Sequence, residues 1–414
     1  MRAKLHICWF LLMLLLSGMN AQAAQITVSE DGEVKSFQGA VQLAEPYDTL
    51  IVKEGHYRES DVIIDKPLTI IGEGQAVIDG EGNGFVIIVR SDSVTINNLE
   101  VHHAGVSFIE DYAGILVEKS SRVVLEQLKL ADNFFGIYLA ESSDVLLKDN
   151  TITASGSRET SSGNGIHLWY SKNVTIEGNK VGGHRDGLYF EFVEDVYLSG
   201  NVSEHNLRYG LHFMFSDRSA YERNTFRSNG AGVAVMYTKD VEIMENRFES
   251  NWGSATYGLL LKEINDSRIE RNVFTNNSVA IYVEASNRNQ FYRNTLSQNG
   301  NGVKLMANSM DNVFTENNFI SNTFEVTTNS RQHFNEFNKN YWSQYEGYDL
   351  DRDGLGDIPH RPVRLFAMLT EQQPQALILL RSLLVSIMDA AERLIPIMTP
   401  ETLVDTEPKM RKIL

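Results

Sequence analysis

The sequence is almost free of cysteine, since its one cysteine among 414 residues is Cys8. Without a second thiol no intrachain disulfide can form, and soft-metal chemistry elsewhere in the chain has to use histidine and methionine. Basic residues are also scarce, because 37 Lys and Arg face 54 Asp and Glu, which gives a net charge of −17. Such a chain offers no evident cationic surface to displace the counterions of a nucleic acid. The composition therefore argues against a nucleic-acid partner.

No uninterrupted apolar run reaches the roughly twenty residues that cross a bilayer. The apolar run near the N-terminus extends only from Ile7 to Leu16. It follows the basic residues Arg2 and Lys4 and precedes the small-residue stretch 21–24, which is the pattern of a secretory signal. We predict that residues 1–24 are a signal peptide, that the chain is exported to a bacterial periplasm, and that it keeps no membrane span after cleavage.

Helical periodicity is missing from the central part of the chain, where a repeat of about 22 residues takes its place. Each repeat contains a glycine followed by alternating apolar and outward positions, and later an asparagine. The glycines are Gly114, Gly136, Gly165, Gly187, Gly210, Gly232, Gly258 and Gly302. The asparagines are Asn150, Asn179, Asn201, Asn224, Asn246, Asn272, Asn294 and Asn317. We expect both residue types at corners that need positive φ, with the asparagines stacked into ladders, and a second ladder five residues further on.

These features predict an all-β, right-handed parallel β-helix, with coils about 4.8 Å apart along its axis. After the signal peptide we expect an N-terminal cap with irregular first coils (25–110), regular repeats (111–340), an acidic cation-binding loop region (341–365) and a helical tail (366–414). A short amphipathic helix at 36–44 belongs to the predicted cap. The tail segment 376–398 is apolar but interrupted by charged residues, so we expect it to dock a membrane partner. Folding back over the open end of the rod is the alternative.

Soft metal-binding side chains occupy outward positions in adjacent coils. The second and fourth residues after each repeat glycine should face outward, because side chains alternate along a strand. These positions carry His167 and Trp169, then Tyr189 and Glu191, then His212 and Met214, then Ala234 and Met236. Imidazole and thioether without thiolate suit Cu(I) better than a hard cation. His212, Met214, Met236 and His167 therefore form a candidate Cu(I) site, with zinc binding or a protein-interaction face as alternatives.

Carboxylates are sparse around this face, which argues against the commonest enzymes of the fold. Polysaccharide lyases and hydrolases use several Asp or Glu residues together, whereas here only Asp186 and Glu191 lie near the patch in sequence. We interpret Asp186 as the partner of Arg208 in an ion pair between coils. His184 and His205 are interpreted as polar replacements for ladder asparagines, and a role as second metal ligands is the alternative. We predict that the protein is not an enzyme; a lyase or hydrolase and a purely structural adaptor are the alternatives.

An acidic segment, Asp349-Leu350-Asp351-Arg352-Asp353-Gly354-Leu355-Gly356-Asp357, follows the repeats. Its carboxylates at positions one, three, five and nine and its glycine at six have the spacing of a calcium loop. The glutamate expected at position twelve is replaced by His360, and Glu346 is a candidate to complete the site. We predict a structural Ca²⁺ or Mg²⁺ bound by Asp349, Asp351, Asp353, Leu355 and Asp357. A solvated acidic turn is the alternative.

Four central segments, residues 163–170, 184–192, 206–216 and 229–237, resemble the NosD family, and the resemblance extends from the signal peptide to the tail. It implies a periplasmic β-helix that works with the permease and ATPase of an ABC transporter to mature the copper centres of nitrous oxide reductase. It also implies transiently bound Cu(I), attachment to the inner membrane through the transporter, and a copper-donating lipoprotein as a further candidate partner. From the resemblance we expect the outward His and Met residues to hold Cu(I) and pass it on.

Overall fold

The computed structural model describes residues 24–394 and 403–413, except 108, 157, 254–255, 331 and 333. The predicted signal peptide therefore lies outside the described residues, apart from its last position. The described chain is built from short strands in three parallel sheets, and after the first strand pair, neighbouring strands of one sheet are three strands apart in the sequence. Each turn of the chain thus adds one strand to each sheet. The predicted all-β parallel β-helix is confirmed.

The first sheet has 14 strands: Gln25–Val28, Thr49–Val52, Thr69–Gly72, Thr95–Asn97, Val124–Glu126, Ser143–Lys148, Lys172–Glu177, Glu194–Ser199, Ala220–Glu222, Glu242–Met244, Arg268–Glu270, Gln290–Tyr292, Val313–Thr315 and Glu336–Asn338. The second has 13: Gly55–Arg58, Ala76–Asn83, Glu100–Ala104, Lys129–Ala131, Thr151–Thr153, Lys180–Gly182, Val202–Glu204, Thr225–Arg227, Arg247–Glu249, Val273–Thr275, Thr295–Ser297, Asn318–Ile320 and Tyr341–Trp342. The third has 12: Val62–Ile64, Ile87–Val89, Ala113–Glu118, Phe135–Ala140, Ile166–Trp169, Leu188–Glu191, Tyr209–Met214, Ala231–Lys239, Tyr257–Asn265, Val279–Glu284, Asn301–Leu305 and Phe324–Thr328.

The described helices lie mainly at the two ends of the rod. They are α1 (Phe37–Leu43), α2 (Leu365–Gln372), α3 (Leu383–Leu394) and the 3₁₀ helices Glu159–Ser161 and Pro374–Leu379. Helix α1 begins after Ser36, whose side chain accepts a hydrogen bond from the amide of Gly39, and it packs near the first strands. None of the described helices is long and apolar enough to span a membrane.

One continuous apolar core fills the rod, because the middle residue of each short strand points inward. Identical side chains stack between coils, as in the rings of Phe248 and Phe274, whose centroids are 4.5 Å apart. Each sequence repeat therefore forms the same packing contact with the next coil. The core needs no disulfide, because each coil packs its buried side chains on those of its neighbours.

Asparagine ladders join the coils, as predicted. In the first ladder the backbone N and Nδ2 of each asparagine donate to Oδ1 of the next, for example from Asn224 to Asn246 at 2.9 and 3.0 Å. The second ladder contains Asn206, Asn229, Asn251, Asn277, Asn299 and Asn322. Each side-chain amide forms hydrogen bonds with the coils on both sides of it. It thereby provides partners for the buried backbone N–H and C=O groups at the corner, where the hydrogen bonds of the sheet end.

The expectation that the repeat glycines and ladder asparagines themselves have positive φ is wrong. Positive φ falls instead on the residue before each ladder asparagine, such as Asp149 (φ 51°) and Glu245 (φ 57°). The repeat glycines are needed for close approach, since a Cβ on Gly232 would lie 2.3 Å from the carbonyl oxygen of Gly258. Any side chain there would force neighbouring coils apart.

The C-terminal tail covers the last coil of the rod. Helix α2 packs on strand Phe324–Thr328. Further on, the buried Asp405 takes the place of the next ladder residue: Oδ2 accepts hydrogen bonds from the backbone N and Nδ2 of Asn340 (2.9 and 3.1 Å) and from Nε1 of Trp342 (2.9 Å). A carboxylate therefore terminates the first asparagine ladder.

Candidate metal centre

The candidate copper residues lie on the outer face of the third sheet, which we call the His/Met face. The register pairs His167 with Tyr189 and Tyr189 with His212 in one column. The second column continues from Glu191 through Met214 to Met236. Because the flanking Leu211 and Phe213 are core residues, His212 and Met214 lie on the side of the sheet away from the core. The structure thus brings Met214 and Met236 together as direct neighbours in adjacent coils.

The two histidines of this face are covered, although they do not belong to the core. His167 is 8% exposed and His212 is 5% exposed. Their rings belong to a column with Tyr138 and Tyr189, in which successive ring centroids lie 4.7, 4.8 and 5.0 Å apart. Tyr209 packs against His212 from the side, at 4.8 Å. The ring of Tyr189 separates His167 from His212, so the two imidazoles do not meet.

Hydrogen bonds fix the tautomers of both histidines. Arg208 donates to Nδ1 of His212 at 3.0 Å, and a guanidinium can only donate. Nδ2 of Asn164 lies 3.0 Å from Nδ1 of His167, while Arg185 donates to Oδ1 of the same asparagine. Both Nδ1 atoms therefore accept, and in each neutral ring the proton is on Nε2. Within the described residues, Nε2 of His212 is buried without a hydrogen-bond partner.

Burial keeps these imidazoles neutral. Burial, reinforced by Arg185, lowers the pKa of His167 to about 3. Burial, followed by the effects of Arg208 and Arg185, lowers the pKa of His212 to about 4. Both rings therefore carry a lone pair at neutral pH, which is a requirement for binding a metal ion.

Asp186 is the centre of the charged network beside this face. It is fully buried, and its Oδ1 lies 3.4 Å from Nε of Arg208, which confirms the predicted ion pair between coils. Arg185, which the sequence reading did not assign to this carboxylate, lies 3.5 Å from Oδ2. Burial raises the pKa of Asp186, while the two guanidinium groups act in the opposite direction. Two arginines on one carboxylate make this edge of the His/Met face cationic.

An exposed aromatic stripe, which sequence reasoning missed, runs along the other edge of the His/Met face. Tyr170, Phe192, Phe215 and Tyr237 stack with centroids 4.7, 5.1 and 5.0 Å apart. All four have positive φ, which is uncommon for bulky residues, and each is at least 37% exposed. Their sequence signal is an aromatic residue directly after the outward fourth position in four successive coils. The stripe marks the coils that carry the His/Met face.

The remaining histidines predicted as ladder substitutes lie at corners. The backbone N of His184 donates to Oδ1 of Asn206 at 3.2 Å, so this residue begins the second ladder. His205 is exposed, has a φ of 57° and directly precedes the ladder residue Asn206, so the interpretation of His205 as a ladder replacement is wrong. Neither lies in the two columns of the His/Met face.

The acidic loop, residues 349–357, gathers three of its predicted ligands. Asp349, Asp351 and Asp353 have ligand oxygens within 4.8 Å of one another, and no other group of His, Cys, Asp and Glu among the described residues meets that distance. Gly354 has a φ of 88°, as position six of such a loop requires. Asp357 lies outside this group and accepts from the amide of Leu350 at 2.6 Å. His360 is engaged elsewhere, with its Nε2 2.8 Å from Glu325.

Comparison with known proteins places this arrangement in a family. A model described as periplasmic copper-binding protein (NosD) matches residues 154–347. A Pseudomonas aeruginosa protein named "Probable ABC transporter binding protein NosD" is 30% identical over 397 residues, covering 90% of this chain and 92% of that protein. This chain belongs to the NosD family. A Stutzerimonas stutzeri protein of the same name is 26% identical and covers 86% of this chain, with 85% of its own length matched.

Solved structures support the fold of this NosD-family chain and nothing finer. The A-module of the Azotobacter vinelandii mannuronan C-5 epimerase AlgE6 matches 75% of this chain and 91% of its own length, with a TM-score of 0.53 and 14% identity. The Streptococcus pneumoniae surface protein and adhesin PfbA matches 77% of this chain and 98% of its own length, with a TM-score of 0.53 and 13% identity. An epimerase and an adhesin share the rod, so the rod alone does not specify activity.

Proposed function

We propose that this NosD-family chain is a periplasmic copper carrier that is not an enzyme. It binds Cu(I) transiently at the His/Met face and passes it on, working with an ABC transporter in the maturation of nitrous oxide reductase. The family description as periplasmic copper-binding protein and the names of the relatives support the copper, the compartment and the transporter. A copper-donating lipoprotein is the proposed source of the ion.

The observation that carries the proposal is the pairing of Met214 with Met236 on the outer face of adjacent coils. Both residues are intermediate in burial, so neither methionine is part of the closed core. Two thioethers at the spacing of adjacent strands can converge on one soft ion.

His212 is the nearest imidazole on the same strand as Met214. Its Nδ1 lone pair is occupied by Arg208, so binding of Cu(I) through Nδ1 requires this guanidinium to move away. Such a movement would couple copper binding to the Arg208–Asp186 ion pair. His167, two coils away in the same column as His212, is a further candidate ligand for Cu(I).

The methionine pair can be tested by replacement with leucine, which keeps nearly the same volume. We expect the wild-type protein to bind Cu(I) stoichiometrically under anaerobic competition with a chromophoric Cu(I) chelator. The double variant Met214→Leu, Met236→Leu should bind about 100-fold more weakly, a loss of about 2.7 kcal/mol. Met244→Leu, in a strand of the first sheet, is the matched control. Wild-type affinity in the double variant would place copper elsewhere.

We propose further that the C-terminal tail docks the membrane partner. One face of the segment 376–388 packs on the rod side, through Leu380, Val385 and Met388 in a cluster with Phe324 and Phe366. The opposite face is unusually apolar for a surface, with Ile378 89% and Leu383 76% exposed. The printed names of the relatives, as transporter binding proteins, support a transporter as the occupant.

Point variants test the tail better than truncation, because truncation would also remove Asp405. We expect Ile378→Glu together with Leu383→Glu to reduce co-purification of the transporter permease and ATPase from solubilised membranes at least tenfold. Ile109→Glu, at an apolar residue that is 91% exposed elsewhere on the rod, should leave it unchanged. Normal co-purification by the double variant would point to docking through the rod.

For the acidic loop we propose a structural Ca²⁺ or Mg²⁺ at Asp349, Asp351 and Asp353, with Asp357 and the carbonyl of Leu355 as further ligands. The three clustered carboxylates support this assignment, and a bound cation would relieve their mutual repulsion. We expect added Ca²⁺ to raise the Tm of the wild-type protein and not that of Asp351→Asn. Asp240→Asn, at an exposed corner, is the control and should respond as the wild type does. An equal response of both variants would contradict the site.

A further inference from the structure

A cavity at one corner of the N-terminal coils lies apart from the His/Met face. The connections 105–112 and 154–165 are longer than the connection 132–134 between them, and the cavity, of about 410 Å³, opens at this point. Its wall includes Val106, Phe134 and Ser162. Insertions in repeat proteins collect on one face, which is often the face that binds a ligand. We call this feature the corner cavity.

His103 enters the wall of the corner cavity with a defined tautomer. Its Nδ1 lies 3.0 Å from Oδ1 and 3.1 Å from Oδ2 of Asp79, which also accepts from Nε2 of His56. A carboxylate accepts hydrogen bonds, so the proton of the His103 ring is on Nδ1. Its Nε2 then carries the lone pair. An imidazole oriented by a carboxylate in this way is the usual arrangement for a metal ligand.

His184 is a second imidazole in the same wall, and it is only 1% exposed. The backbone of Gly163 is close to one side of the ring. Within the described part of the chain, Nε2 of His184 has no hydrogen-bond partner, and neither has Oγ of Ser162. Buried polar atoms of this kind are costly unless a ligand or water satisfies them.

Asp132 adds a carboxylate to the two imidazoles. Its Oδ1 accepts from the backbone N and Oγ of Ser155, at 3.0 and 2.6 Å. These bonds orient the group and engage a single oxygen, so Oδ2 remains to face a ligand. The wall therefore combines two imidazole nitrogen donors with one carboxylate oxygen donor.

We propose that His103, His184 and Asp132 form a binding site for a divalent first-row transition ion of the zinc type. Two imidazoles and one carboxylate are a common donor set for such ions, with water or the Ser162 hydroxyl in a fourth position. The three groups surround the cavity, and their ligand atoms do not all lie within 4.8 Å of one another. Binding therefore draws inward His103, whose side chain is about half exposed, and the exposed Asp132.

Titration with Co(II), followed by its visible absorption, tests the site, because low-coordinate Co(II) absorbs more strongly than Co(II) in an all-oxygen octahedral site. We expect one such ion per chain, displaced by Zn(II). Asp132→Asn and His103→Ala should each weaken binding tenfold or more, and Asp79→Asn by about 10- to 100-fold. His205→Ala, at an exposed corner, is the matched control and should bind as the wild type does.

Several outcomes would overturn the site. One is no saturable uptake by the wild-type protein, and another is unchanged uptake by the folded double variant of His103 and Asp132, with folding checked by circular dichroism. Loss of uptake in Asp351→Asn alone would assign the ion to the acidic loop. The Met214→Leu, Met236→Leu variant should keep its Co(II) binding, so this site and the copper proposal can fail independently.

Discussion

Replacing Asp405 by alanine is expected to lower the stability of the C-terminal coils by about 4 kcal/mol. The carboxylate is fully buried and accepts from the backbone N of Lys339 and Asn340, from Nδ2 of Asn340 and from Nε1 of Trp342. Hydrogen bonds to a charged group contribute about 1.5–3 kcal/mol each, and buried donors left unpaired are costly. Hydrogen exchange of the amides of residues 339 and 340, together with urea denaturation, measures the effect.

Glu407→Ala is the matched control for this prediction. Glu407 is exposed and lies 3.5 Å from Nζ of Lys339, and an exposed ion pair of this kind contributes little. We expect a change within about 0.5 kcal/mol. Asp405→Asn keeps one acceptor oxygen and should lie between the two. A loss below about 1 kcal/mol in Asp405→Ala would mean that the tail is held mainly by helix α2.

The second large effect is expected from Asn246→Ala in the middle of the first ladder. Oδ1 of Asn246 accepts from the backbone N and Nδ2 of Asn224, and its Nδ2 donates to the carbonyl of Tyr221 and to Oδ1 of Asn272. Alanine removes these four hydrogen bonds, and the buried backbone N of Asn224 loses its partner in the ladder. We expect a loss of about 3 kcal/mol in the free energy of unfolding, measured by urea denaturation.

Gln290→Ala is the control, because Gln290 is exposed on a strand of the first sheet. It should change the free energy of unfolding by less than about 0.5 kcal/mol. Equal losses of unfolding free energy in both variants would contradict this prediction. They would show that the hydrogen bonds of the ladder are no more stabilising than the hydrogen bonds to water that replace them. Because a solenoid can unfold coil by coil, a broadened transition in Asn246→Ala is also expected.

The repeat could be read from the sequence because its residues act locally. A ladder asparagine meets the same residue one coil away, so its spacing alone predicted the stack that joins Asn224 to Asn246. Strand alternation likewise predicted that Met214 and Met236 would be neighbours. In both cases one rule, repeated along the chain, determined which side chains meet.

The parts that escaped prediction depend on contacts that the repeat does not encode. The side chain of Arg208 extends from the corner before the strand and contacts His212 on that strand. This contact helps to bury His212, whose side chain strand alternation alone predicted to be exposed to solvent. Asp405 takes the next ladder position from 65 residues beyond Asn340, and nothing in its neighbourhood resembles a coil. The positive φ of the residue before each asparagine was missed because residues as different as Asp149 and Arg223 adopt it.

The ladders also make the rod a spacer of adjustable length. From the strand Ala231–Lys239, which carries Met236, to the strand Phe324–Thr328 beneath the tail there are four steps of one coil, or about 19 Å at roughly 4.8 Å per step. Adding or removing one whole coil in this interval would leave every asparagine a partner above and below. The distance between the His/Met face and the C-terminal tail can therefore change only in fixed increments. Such a change would leave the residues of both ends unaltered.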